Sequence, residues 1–184
     1  NRTQPAQPIV GTTRQLCSDT NPLSCPAVQR FAFPNFTDPI PGTLGPFVDL
    51  GHPLKCGEGF VNIDPMAYDD PATGKHLLYW GSGFQPIKVQ ELAADRISFA
   101  AGSSSKDLVW PNPVKDAFPV LVEGSWVIRH GGYYYLFYSG DNCCGPKANY
   151  AVMVARSRSA TGPFETLEQA TGKAHSIVLE KRGY

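Results

Sequence analysis

Two carboxylates stand at matching places in two look-alike stretches of this chain. Asp64 lies in Val61-Asn62-Ile63-Asp64-Pro65-Met66-Ala67-Tyr68, and Glu123 lies in Leu121-Val122-Glu123-Gly124-Ser125-Trp126-Val127-Ile128, fifty-nine residues further on. Each stretch passes through a polar turn into an aromatic run. One run is His76-Leu77-Leu78-Tyr79-Trp80-Gly81, and the other is Tyr133-Tyr134-Tyr135-Leu136-Phe137-Tyr138-Ser139. Two acids at one opening are the equipment of glycosidic hydrolysis, in which one carboxyl protonates the leaving oxygen and another assists. One of them must hold a proton near neutral pH, and a like-charged neighbour favours that. A lone acid at a strand end is ordinarily a surface charge. The matched phase in two repeats is what raises this pair above that reading.

The elements that must position the pair follow from the same repeat. Strand, tight polar turn and aromatic strand form a β-hairpin signature. A third apolar run follows each hairpin, Ile87 to Leu92 in one unit and Tyr150 to Ala155 in the other. Gly45-Pro46-Phe47-Val48-Asp49-Leu50 is echoed by Gly162-Pro163-Phe164-Glu165-Thr166-Leu167, which begins a fourth strand. A period just under sixty fits a four-stranded propeller blade, somewhat longer than the ~40–50 residues of familiar blade repeats. The expected fold is all-β, a β-propeller of four-stranded blades, and the chain covers about three of them. A β-sandwich with hairpins alike by chance is the competing reading. Residues 1–44 match neither unit and are read as an irregular N-terminal segment or the remnant of a first blade; residues 45–184 are read as propeller blades.

In a propeller the first strand of each blade lies nearest the axis, so Asp64 and Glu123 should face each other across one mouth of the channel. Loops 81–86 and 139–149 return to that mouth. Phe84 is there either to stack on a sugar ring or to anchor its loop. Asp69 and Asp70, in Asp-Asp-Pro-x-x-Gly, read as turn caps without chemistry.

Composition excludes several classes. The 184 residues carry no net formal charge and no basic run, so there is no electrostatic footprint for nucleic acid. No apolar run approaches the length of a membrane span. The five cysteines lack the spacing of a zinc site, and His52, His76, His130 and His175 show no ligand spacing, so neither metal nor cofactor is expected. Asn1-Arg2-Thr3 and Asn35-Phe36-Thr37 fit the N-glycosylation pattern. With the cysteines they point to a secreted, oxidised protein. Cys143 and Cys144 are adjacent; they either close a vicinal disulfide at the rim or each pair elsewhere. The vicinal bond would make Cys17 and Cys25 natural partners and leave Cys56 over.

Asn62-Ile63-Asp64-Pro65, Leu77 to Ser82, Val122 to Val127, Tyr134 to Gly140, and Asn149 to Ser157 running into Ser159 to Phe164 together resemble glycoside hydrolase family 43. The resemblance covers roughly residues 38–168. It implies a five-bladed propeller, inverting hydrolysis, and arabinose- or xylose-containing plant polysaccharides as substrates. It makes Glu123 the general acid and Asp64 the aspartate that tunes and orients that acid. The family's general base is an aspartate of the first blade, and here neither Asp19 nor Asp38 sits in a first-strand context. The 184 residues alone are therefore expected to hydrolyse glycosides poorly, with missing blades or a second chain completing the propeller. A non-catalytic carbohydrate-binding or storage protein built from the same blades is the alternative.

Overall fold

The computed structural model describes residues 10–13, 27–32, 48–56, 61–112, 120–141 and 149–180. They form three antiparallel sheets. The first joins β1 (Val10–Thr13), β2 (Ala27–Ala32) and β3 (Val48–Cys56) in that order. The second joins β4 (Met66–Asp69), β5 (His76–Trp80), β6 (Ile87–Leu92) and β7 (Lys106–Val109). The third contains β8 (Val122–His130), β9 (Tyr133–Gly140), β10 (Ala151–Ser157) and β11 (Glu165–Thr166), and β12 (Ile177–Glu180) also pairs with β10. Apart from β12, strands pair with their neighbours in sequence, which is the up-and-down order of propeller blades.

The middle sheet is buried on both faces, and period-two alternation along β5 shows how. Leu77 and Tyr79 join Ile87 and Val89 in a core shared with Val127, Tyr134, Leu136, Tyr138 and Met153 of the third sheet. Leu78 and Trp80 point the other way, packing with Leu92, Phe99 and Leu54 of the first sheet. Each such fully buried side chain contributes about 1.5–3 kcal/mol. A continuous apolar run flanked by turns is what a strand between two covered faces requires. Tyr79 and Trp80 also satisfy their polar tips, on the Ala160 carbonyl and on Asn62 Oδ1.

Two local features differ from the simple repeat. The Gly-Pro-Phe echo does begin a fourth strand, but that strand is only Glu165–Thr166 before α1 (Leu167–Thr171) interrupts it. Thr166 caps this helix, and its hydroxyl and the Gln169 side chain exchange hydrogen bonds with each other's backbone N–H. That is a capping box of the pattern Thr-x-x-Gln. The second feature is in β8, where Glu123 pairs with Ser139 and Trp126 with Phe137. Gly124 and Ser125 therefore face Tyr138 alone, which is a β-bulge, and Gly124 takes the left-handed φ of +64° that such bulges favour in glycine.

The third sheet's outer face carries an apolar patch. Strand register sets Trp126, Ile128, Phe137 and Leu179 on the side turned away from the shared core. Trp126 is 61% exposed and Leu179 67%.

Candidate active site

Asp64 lies two residues ahead of β4 rather than within it. The turn that carries it is pinned on either side: Trp80 Nε1 donates to Asn62 Oδ1 at 2.9 Å, and Gly81 N–H donates to the Ile63 carbonyl at 3.0 Å. Asp64 itself adopts a left-handed φ of +55°. Outside glycine this conformation is uncommon and best tolerated by Asp and Asn. It turns the carboxylate toward β8, where Oδ2 accepts the Gly124 N–H at 3.2 Å. The bulge thus offers a backbone donor, on the residue next to Glu123, to the carboxylate of the neighbouring blade.

Glu123 is the second residue of β8 and is half-buried. Ser82 Oγ donates to its Oε2 at 2.6 Å, and the Tyr150 phenol donates to Oε1. Ser82 stands on the loop leaving β5, and Tyr150 stands just ahead of β10. The Ser82 loop is held close: the Val122 N–H donates to the Gly83 carbonyl at 3.2 Å. Gly81, at φ +132°, permits the loop to close on itself, because a Cβ there would lie 2.7 Å from the Pro86 carbonyl oxygen.

The electrostatics are asymmetric. Burial raises the Asp64 pKa above the usual carboxylate value, the Glu123 charge raises it further, and the Gly124 N–H opposes both. Burial, then the bond to Glu123, lifts the Tyr150 phenol well above the usual tyrosine range. Both acids act electrostatically on Tyr150, so the three groups form one cluster. Among the described residues, no group of three His, Cys, Asp or Glu side chains is placed to hold a metal ion, and no helix is long and apolar enough to cross a membrane.

The two acids singled out by the repeat are thus brought together. Phe84 is 71% exposed on the loop that carries Ser82. Sequence reasoning missed Ser82 and Tyr150, although both lie in or beside loops it placed at the mouth. Asp70 is a turn cap as expected, accepting from Ala72 N–H and Thr73 Oγ1, but it is also buried and accepts from Tyr134. His76, one of the histidines without ligand spacing, begins β5 and pairs with Asp69 at 2.6 Å. Cys17, Cys25, Cys143, Cys144, Asp19, Asp38 and both glycosylation triplets lie outside the described residues.

The pattern described as "Glycosyl hydrolases family 43" matches residues 37–175. The chain belongs to glycosyl hydrolases family 43. Among curated proteins, this family 43 chain is 32% identical over 134 residues to "Probable arabinan endo-1,5-alpha-L-arabinosidase D" of Emericella nidulans, a match covering 65% of this chain and 34% of that protein. It is 30% identical over 119 residues to "Arabinan endo-1,5-alpha-L-arabinosidase A" of Aspergillus aculeatus, covering 57% and 32%. Among solved structures, an α-L-arabinanase of Cellvibrio cellulosa in complex with arabinohexaose superposes with a TM-score of 0.67 at 20% identity, over 85% of this chain and 52% of that one. A GH43 endo-arabinanase from Bacillus licheniformis gives 0.61 at 25% identity, covering 85% and 49%. The chain spans about a third of the length of these curated relatives and about half that of the structures. The fold is the family's β-propeller, of which about three blades are present.

Proposed function

We propose that this protein is an inverting glycoside hydrolase acting on arabinose-containing plant polysaccharides, with Glu123 as general acid and Asp64 as the residue that orients and tunes it. The observation that carries this reading is the contact of the Asp64 carboxylate with the Gly124 N–H, which couples the two acids of adjacent blades across one peptide. In this reading Glu123 gives its proton to the leaving glycosidic oxygen as the C–O bond breaks. Asp64 keeps a negative charge beside it, favouring the protonated state of Glu123 before reaction. Phe84 offers an exposed ring to the apolar face of a sugar. The arabinan-degrading relatives motivate the choice of arabinose over xylose.

Inversion also requires a base to activate water on the opposite side of the ring. By the family resemblance that base is an aspartate of the first blade, and this reading leaves it there. The strands β1 and β2, which pair with β3, are read as the remains of a first blade. Further blades, on the same protein or a second chain, would cover the Trp126, Ile128 and Leu179 face. The glycosylation triplets and cysteines support reading the protein as secreted.

The test is hydrolysis of linear arabinan and aryl arabinofuranosides by the protein and its Glu123→Gln variant, with and without added azide. Azide attacks the anomeric carbon without needing deprotonation, so it replaces base-activated water while Glu123 still protonates the leaving oxygen. On substrates with poor leaving groups the variant should lose about 10²–10⁴-fold. Oligosaccharide binding without turnover under either condition would overturn the enzymatic reading in favour of a carbohydrate-binding protein.

A further inference from the structure

Both oxygens of the Glu123 carboxylate are engaged by hydroxyl groups, and the two hydroxyls come from different blades. Ser82 Oγ, from the loop after β5 in the second sheet, donates to Oε2 at 2.6 Å. Tyr150, ahead of β10 in the third sheet, donates to Oε1. Ser139 of β9 lies close enough to the Tyr150 phenol to act against the rise of its pKa. Ser139 also stands beside the bulge, its Oγ 3.6 Å from where a Gly124 Cβ would lie. Ser139 thus neighbours both Tyr150 and the residue that tethers Asp64.

A glutamate ordinarily has a broad terminal torsion and about 1.5–2 kcal/mol of side-chain entropy to lose. Held at both oxygens, the ionised carboxylate has a single orientation. Each hydroxyl has one proton to donate, and a carboxylate that accepts at both oxygens is the ionised form. That is the state left behind once the proton has gone to the leaving group. Hydrogen bonds that strengthen as charge develops assist the step itself rather than binding alone.

Resting on the glycosidase reading above, we infer that Ser82 and Tyr150 are positioning residues for proton donation. They fix the Glu123 carboxyl toward the leaving oxygen and stabilise the anion that forms on it. The phenol of Tyr150 stays protonated throughout the neutral range, being held above its ordinary titration by burial and by Glu123 itself. It is therefore a permanent donor. Neither residue touches the substrate in this role, so substrate affinity is not what they set.

The experiment compares the unsubstituted protein with Tyr150→Phe and Ser82→Ala, in azide, on two substrates. One is an arabino-oligosaccharide, whose sugar leaving group must be protonated. The other is the dinitrophenyl arabinofuranoside, whose leaving group departs without protonation. Loss of a hydrogen bond to a charged group should lower kcat on the oligosaccharide about 10-fold more than on the dinitrophenyl substrate, with KM altered less than about 2-fold. Carbon-13 carboxylate infrared bands, assigned to Glu123 by their absence in Glu123→Gln, should shift to higher frequency in both variants. Equal losses on both substrates, or a change confined to KM, would overturn the inference. So would an unshifted band. Shifted bands in a protein that turns over neither substrate would overturn the glycosidase reading instead, leaving the two hydroxyls as a fixed feature of the Glu123 environment.

Discussion

The phenol of Tyr134 donates a 2.6 Å hydrogen bond to Oδ1 of Asp70, tying the third sheet to the β4–β5 turn of the second. Burial would raise the Asp70 pKa. The hydroxyls of Thr73 and Tyr134, the Ala72 N–H and the charge of Arg129 outweigh it and hold the pKa below the ordinary value. Tyr134→Phe should therefore cost about 1–3 kcal/mol of stability, the range for a buried hydrogen bond to a charged group. Because the folded-state pKa is depressed, the contribution is present above the unfolded value of about 4 and is lost as pH falls through the folded value. Urea unfolding of both proteins at pH 7 and pH 3 checks this. The gap between them should be widest at pH 7, and a gap independent of pH would remove Asp70 from the account.

Asp64 has the opposite sign. Its raised pKa means that the stability of its protonated form, present below the unfolded value, is lost as pH rises through the folded value. Asp64→Asn should therefore stabilise the protein at pH 7 and leave it nearly unchanged at pH 4. The amide oxygen can still accept the Gly124 N–H, and asparagine tolerates φ +55°. Asp64→Ala loses the acceptor and adds about 1–2 kcal/mol of left-handed strain. Thermal unfolding at the two pH values should rank Asn above the native residue and Ala below it at pH 7. An Asn variant less stable than the native protein would show that the charge is better accommodated than its burial suggests.

Much of this architecture was legible from one period. The spacing of Asp64 and Glu123 marked two equivalent strands, and the apolar run from Leu77 to Trp80 marked a strand covered on both faces. The bulge was harder to see. Asp64 and Glu123 are fifty-nine residues apart, but Met66 and Trp126, which pair with Tyr79 and Phe137, are sixty apart. That one-residue slip is present in the sequence, yet it means little until strand register is known. The capping box Thr166-x-x-Gln169 is present in the sequence but went unread inside the all-β pattern around it. Ser82 and Tyr150 were not readable as partners of Glu123, because a loop hydroxyl acquires a role only when blade packing decides which strand lies beneath it.

Ser125 follows Gly124 in the bulge of β8. Its side chain is buried at 6% exposure, and among the described residues its Oγ is the buried side-chain atom without a hydrogen-bond partner. A buried hydroxyl that makes no bond has given up its water for nothing in return. Ser125→Ala should raise stability by about 1 kcal/mol, the lower end of the desolvation cost of such a group. Turnover should stay within about 2-fold, since loss of an unbonded hydroxyl should perturb the backbone and Glu123 little. Denaturant unfolding reads the first effect and an arabinan assay the second. A destabilised Ala variant would mean that this hydroxyl is satisfied in solution.

Phe84 provides the last prediction. Its loop is anchored by Gly83 and Ser82 to the strand that bears Glu123, yet its own ring is 71% exposed. A buried loop anchor would cost several kcal/mol on truncation, whereas an exposed ring should cost less than about 0.5 kcal/mol. If the ring instead receives a sugar, burying it on binding is worth about 1–2 kcal/mol, or roughly 5–30-fold in affinity. Phe84→Ala should therefore unfold at the same denaturant concentration as the native protein and bind arabino-oligosaccharides 5–30-fold more weakly by calorimetry. The heat-capacity change of binding should become less negative, as removal of apolar contact requires. A variant that unfolds early would return Phe84 to the role of loop anchor. Unchanged affinity in a stable variant would place the sugar away from this loop and count against the orientation of substrate proposed for Glu123.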